Sequence, residues 1–154
     1  RGGNVVTYVK FGEKVYSPII EKGEADIILA FEQLEALRWI EYLKKDGMMI
    51  INDQKIDPMP VIIGKAKYPE SIIEKIKENY QNILSLDALS IAKQCGNIKA
   101  VNTVLIGVMA ANTRVEKQIW IEAMSEVIPQ KFLEVNLKAF EEGYKLAAEN
   151  AKTK

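Results

Sequence analysis

Apolar residues along the chain fall into short runs separated by helical-period segments. From Asn4 to Phe11 the order is strand-like, with Val5, Val6, Thr7, Tyr8 and Val9. Gly12-Glu13 then interrupts it, and Lys14-Val15-Tyr16 follows before Ser17-Pro18. This pattern predicts a β-hairpin near the N-terminus. Asp26-Ile27-Ile28-Leu29-Ala30-Phe31 reads as a strand buried on both faces. Behind it, Leu34, Leu37, Trp39, Ile40 and Leu43 recur at helical spacing, which predicts a helix ending near Asp46-Gly47. Met48-Met49-Ile50-Ile51 is the next buried strand, closing at Asn52-Asp53. Beyond Pro58 and Pro60, Tyr68-Pro69-Glu70 opens a helix with Ile72, Ile73 and Ile76 on its apolar side. Asn82 to Asp87 is a further strand, and Asp87 or Ser85 is placed to cap the helix through Leu89, Ile91 and Ala92.

The last third is helical in period. Lys99 to Asn112 is apolar nearly all round, as expected of a helix in the middle of a domain, and Gly107, Ala110 and Ala111 would admit a close neighbour. Two amphipathic helices, around Glu116–Val127 and Gln130–Asn150, are separated by Pro129. Together these elements predict one domain over residues 1–154, of the α/β class. It is a three-layer, Rossmann-like arrangement with a mostly parallel sheet and helices on both faces.

Composition narrows the chemistry. With 154 residues, 48% of them apolar, the chain can bury one sizeable core. The 21 Lys+Arg balance 21 Asp+Glu, which argues against nucleic acid as a partner because phosphate neutralisation needs a basic excess. No apolar run approaches the roughly 18 residues of a membrane span, and no signal-peptide pattern opens the chain, so a cytoplasmic protein is expected. Histidine is absent, which removes His-activated nucleophiles, His general bases and His metal ligands. A single Cys95 cannot hold an iron–sulfur cluster with four thiolate ligands.

Few candidates remain. Asn52 and Asp53 end a predicted strand, where ligands bind in open α/β sheets, although turn formation accounts for them equally. Glu32 and Glu35 share a face at a helix N-terminus, where capping suffices to explain them. Arg1, Gly2 and Gly3 offer a donor fork beside backbone free to approach a phosphate or a partner; a flexible lead into the first strand is the simpler account. Cys95 reads as a buried thiol, Asn102 and Asn136 as ties between helices, and Trp39 and Trp120 as core or interface. Composition and spacing lead no further than an α/β domain without a self-sufficient active site.

Several stretches, in this order, carry a resemblance. They are Arg1-Gly2-Gly3-Asn4-Val5-Val6, Phe11-Gly12-Glu13-Lys14-Val15-Tyr16-Ser17-Pro18-Ile19-Ile20, and Gly23 to Glu32 followed by Leu34-Glu35-Ala36-Leu37-Arg38. Ile51-Asn52-Asp53, Gly96-Asn97 through Asn102 and Gly107, and Ile128-Pro129 to Gly143 with Asn136 continue the series. Over nearly its whole length the chain resembles the small subunit of indolepyruvate ferredoxin oxidoreductase, within the gamma subunit or domain family of 2-oxoacid ferredoxin oxidoreductases. The resemblance implies a subunit of a complex that oxidatively decarboxylates a 2-oxoacid to an acyl-CoA and passes electrons to ferredoxin. Thiamine diphosphate and iron–sulfur clusters are then expected on a large partner subunit, coenzyme A as co-substrate, and no cofactor bound by this chain alone.

Two alternatives stay open: a gamma subunit of a pyruvate or 2-oxoglutarate enzyme, and a stand-alone nucleotide- or CoA-binding module. The family pattern begins with a strand, a GxGGxG-type turn and a helix, and these have no matching positions here. The first βα unit is therefore expected to be missing from the chain. Arg1, Gly2 and Gly3 match the loop edge facing the partner, and with Asn52 and Asp53 they are the cofactor-facing candidates. No catalytic residue and no metal ligand is expected.

Overall fold

The computed structural model describes residues 5–152, with side chains to Glu149. Three strands, β1 (Ala25–Ala30), β2 (Leu43–Asn52) and β3 (Ile83–Leu86), form a parallel sheet in the order β1-β2-β3. Helix α1 (Gln33–Trp39) connects β1 to β2, and a short α2 (Met59–Ile62) and α3 (Ile72–Asn79) lie between β2 and β3. After β3 come α4 (Ala88–Gln94), α5 (Val101–Ala111), α6 (Lys117–Val127) and α7 (Gln130–Lys152). Among the described residues no helix is long and apolar enough to cross a membrane.

The sheet is the middle of three layers, as expected. Met49 and Ile51 of β2 pack with Ala36, Ile40, Ile72 and Ile76 from α1, the turn after it and α3. Ile50, between them in sequence, faces the opposite side and meets Ala88, Ala92, Val104, Leu105 and Val108 from α4 and α5, with Ala139 and Ala147 from α7. Alternate residues of β2 thus enter different cores, and so its apolar run is unbroken. Both crossovers advance the sheet in the same direction, so crossovers of one hand put α1 and α3 on one face.

Two expectations change. The first helix ends at Trp39 rather than near Asp46, and after a 3-10 turn over Ile40–Tyr42 the chain is already a strand at Leu43. Ala25 pairs with Leu43 but Ile27 with Met48, so the start of β2 bulges against β1. Gly47 sits in the bulge, where a Cβ would lie 2.8 Å from Leu43 Cδ1 and 2.9 Å from the Ala25 carbonyl oxygen. It permits close packing there and does not terminate a helix.

The second change is at the N-terminus. Residues 5–22 contain no strand, so the predicted hairpin does not form among the described residues. Lys10 Nζ donates to the Ile19 carbonyl at 2.7 Å, and Ser17 Oγ accepts from the Ile19 amide at 3.2 Å, contacts that hold the segment in an open turn without a ladder. An isolated two-stranded ribbon is marginal without a third surface to bury it.

Helices α5 and α7 meet at close range, as the small residues predict. A Cβ on Gly107 would overlap the Phe140 carbonyl oxygen, and one on Gly143 would overlap that of Val104. Each glycine admits the backbone of the other helix. Thr103 Oγ1 donates to Asn136 Oδ1 at 2.6 Å across the same seam, while Asn136 Nδ2 donates to the Phe132 carbonyl at 2.9 Å. Asn136 is thus the expected tie; Asn102 is exposed, and buried Thr103 takes its place.

Candidate functional site

All three strands end on one edge of the sheet, where the loops after β1 and β3 open directly into α1 and α4. Ligands of open α/β sheets bind at this carboxyl edge. Glu32 follows β1 and is nearly fully buried. Its extended backbone and its carboxylate together cap α1: Oε2 accepts from the Leu34 amide at 3.0 Å and Oε1 from the Glu35 amide at 2.8 Å. The orphan amides and the positive end of the helix favour an anion here. Tyr68, 36 residues later, donates its hydroxyl to Glu32 Oε2 at 3.1 Å. Burial and the Glu32 charge push the Tyr68 phenol well above its ordinary range, so it remains a hydrogen-bond donor.

Asn52, 1% exposed, is the hub of the edge. Its Nδ2 donates to the Phe31 carbonyl at 3.1 Å and to Gln54 Oε1 at 3.2 Å, while its Oδ1 accepts from the Ala88 amide at 3.2 Å. One side chain thereby ties the end of β1 and the start of α4 to the end of β2. An amide can do this because it carries both donors and acceptors. Asp53 is exposed; Gln33 Nε2 donates to its Oδ1 at 2.5 Å, and its own amide extends the pairing to the Leu86 carbonyl at 2.8 Å. Asp87 caps α4, accepting from the Ser90 amide at 2.9 Å and the Ser90 hydroxyl at 2.5 Å, and those bonds hold its carboxyl below the ordinary range. Ser85 is a strand residue without that role.

The fold brings Asn52, Asp53, Glu32 and Asp87 to one edge, with Gln33 and Tyr68 as members that spacing did not single out. Asn52 has its polar atoms engaged within the fold, whereas Asp53 presents a carboxylate outward. Arg1, Gly2 and Gly3 lie outside the described residues. Cys95 is buried on the far core, and burial pushes its thiol up despite Lys138 nearby. Trp39 packs tilted against Tyr42, ring centroids 4.9 Å apart, and donates to Glu35 Oε2 at 3.3 Å. Trp120 packs with Ala110, Met124 and Phe140. Among the described residues no three His, Cys, Asp or Glu side chains group as a metal site would require.

Residues 1–146 match the family described as pyruvate ferredoxin/flavodoxin oxidoreductase. The chain belongs to this family. It is 40% identical to the indolepyruvate oxidoreductase subunit IorB of Thermococcus kodakarensis, over 97% of the chain and 76% of that protein. It is 25% identical to the common gamma subunit of the pyruvate/ketoisovalerate oxidoreductases of Pyrococcus abyssi, over 94% of the chain and 73% of that protein. Among solved structures, the gamma subunit of a keto/oxoacid ferredoxin oxidoreductase from Geobacter sulfurreducens superposes with a TM-score of 0.61 at 26% identity, covering 85% of this chain and 69% of that one. Within the family, then, the chain stands with the subunits of ferredoxin-dependent 2-oxoacid oxidoreductase complexes.

Proposed function

We propose that the chain is the small-subunit domain of an indolepyruvate-type ferredoxin oxidoreductase, a cytoplasmic complex that oxidatively decarboxylates an arylpyruvate to an acyl-CoA and delivers the electrons to ferredoxin. The observation that carries this reading is the gap between 40% identity to an indolepyruvate subunit and 25% to a pyruvate/ketoisovalerate gamma subunit over nearly the same length. The residue inventory supports a division of labour. With no histidine and one buried thiol, the donor set does not fit an iron–sulfur cluster. Thiamine diphosphate and the clusters are assigned to a larger partner subunit, and coenzyme A is the co-substrate.

In this reading the chain contributes a shaped surface. Asp53, held by Gln33, and the buried Asn52 before it lie on the carboxyl edge turned toward the partner and coenzyme A, and Arg1, Gly2 and Gly3, outside the described residues, are the further candidates for that role. Anaerobic reconstitution with the larger subunit and coenzyme A is expected to restore ferredoxin reduction faster with indolepyruvate than with pyruvate or 2-oxoglutarate. Turnover by this chain alone would overturn the reading, and so would preference for pyruvate in the assembled complex. Tight calorimetric binding of coenzyme A or NAD without any partner would favour a stand-alone module instead.

A further inference from the structure

Ser71-Ile72-Ile73-Glu74 has the signature of a helix start in which the serine hydroxyl accepts from the amide three residues on and the glutamate reaches back. The fold does not use it. Ser71 stands at the N-cap of α3 with φ 53 and ψ 41, the one non-glycine residue of positive φ among the described residues, and its hydroxyl makes no capping bond. Serine caps from extended backbone, so the left-handed setting forgoes the cap and adds steric strain of its own. Glu32 on α1 and Asp87 on α4 both cap their helices. At Ser71 local preference and the fold disagree.

The cause lies three residues upstream. Tyr68 donates its hydroxyl to Glu32 Oε2 at 3.1 Å, and its ring packs on the core that holds Ile72 and Ile76. Pro69 has a fixed φ, which leaves Glu70 and Ser71 to make the turn between the seated tyrosine and the helix. The other foot is bonded twice: the Gln54 carbonyl accepts from the Gln33 amide at 3.0 Å, and Gln54 Oε1 accepts from Asn52 Nδ2 at 3.2 Å. Between the feet the chain bonds to itself. The Lys65 and Ala66 amides both donate to the Pro60 carbonyl, at 2.8 and 3.0 Å, and among the described residues no hydrogen bond or ion pair joins residues 55–67 to the body.

We propose that residues 55–71 form a hinged strap with two settings: seated, as here, with Tyr68 on Glu32 and Ser71 left-handed; and released, with Tyr68 off Glu32 and Ser71 extended, its hydroxyl accepting from the Glu74 amide. Ser71 is the hinge and Tyr68 the latch. Release exchanges the Tyr68 hydrogen bond for the Ser71 cap, and relief of the left-handed backbone offsets lost packing of the Tyr68 ring, so the opposed changes are of similar size. Helix α1 stays capped in both settings, because Glu32 keeps the Leu34 and Glu35 amides. The strap leaves the end of the central strand beside Asp53, and the latch thereby governs how the carboxyl edge is presented. The switch rests on bonds within the chain and does not depend on the functional reading above.

The test is NMR on the full chain, with Ser71 Cα and Cβ shifts reporting its backbone and relaxation dispersion over residues 54–74 reporting the released population. Tyr68→Phe removes the latch bond and is expected to raise the released-to-seated ratio about fivefold. Ser71→Thr keeps a capping hydroxyl but is β-branched and resists left-handed backbone, so it moves the ratio the same way. Ser71→Gly takes left-handed φ freely and has no hydroxyl, and is expected to lower the ratio roughly fivefold. Opposite signs for the two Ser71 variants, with the shifts of α5 and α7 unchanged, support the switch. Movement of both in one direction overturns it, as does left-handed Ser71 without exchange in wild type and Tyr68→Phe alike. Changes that spread to α5 and α7 also overturn it, since they report general destabilisation. Should Ser71→Thr not fold, Tyr68→Phe and Ser71→Gly still carry the test, with opposite signs expected.

Discussion

The α5–α7 seam and the carboxyl edge of the sheet are built on opposite means. At the seam, contact depends on atoms that are not there: Gly107 and Gly143 each leave room for the other helix's carbonyl. At the edge, contact depends on every polar atom finding its complement, with Asn52, Glu32 and Asp87 bonding amides and carbonyls of neighbouring elements. The seam is therefore damaged by added volume, and the edge by a removed partner. A single chain thus fails in two different ways, and substitutions can tell them apart.

The largest effect is expected at the seam. Gly107→Val should destabilise by more than about 4 kcal/mol, because the clash is with backbone that no rotamer change relieves. Urea unfolding checks it, and a loss below about 1 kcal/mol would mean that the helices can slide apart. Asn52→Leu keeps the volume but leaves the buried Ala88 amide and the part-buried Phe31 carbonyl unpaired, at a cost of about 3 kcal/mol. Equal stability of that variant would remove Asn52 as the hub.

Tyr68→Phe should cost about 1 kcal/mol, since Glu32 Oε2 keeps the Leu34 amide. Smallest is Asp87→Ala, roughly 0.5–1 kcal/mol at neutral pH for the lost cap, discounted because the carboxylate is exposed. Its carboxyl is held low in the folded state, so its contribution is present above the unfolded carboxylate range and is lost as pH falls through the folded value. The gap between Asp87→Ala and wild type should accordingly narrow on acidification, measured as urea midpoints across pH 7 to 3. A gap that stays constant would show that the charge is irrelevant to the cap.

What could be read in advance divides along the same line. The seam was legible because small residues on an apolar helix have a local signature, and the buried strands were legible because apolar runs do. Asp87 as a cap was legible for the same reason, since its partner Ser90 is three residues away. Gly47 misled because a glycine after a helical period normally ends the helix, whereas here Trp39 had already done so and the glycine serves a bulge. Tyr68 was invisible as a member of the edge because its partner Glu32 is 36 residues distant and no periodicity links them. Residues 5–22 misled in the other direction: they have the composition of strands, but a strand also needs a neighbour to pair with.

The excursion from β2 to α3 leaves the edge at Gln54, whose carbonyl accepts from the Gln33 amide at 3.0 Å, and comes back at Tyr68, bonded to Glu32. Both feet of this loop stand on adjacent residues. Its crown, including exposed Met59, Ile62 and Ile63, can therefore lengthen, shorten or change composition without moving the sheet, since each doubling of a closed loop costs only about 0.6 kcal/mol. The loop is thus a replaceable cassette set on a fixed stem.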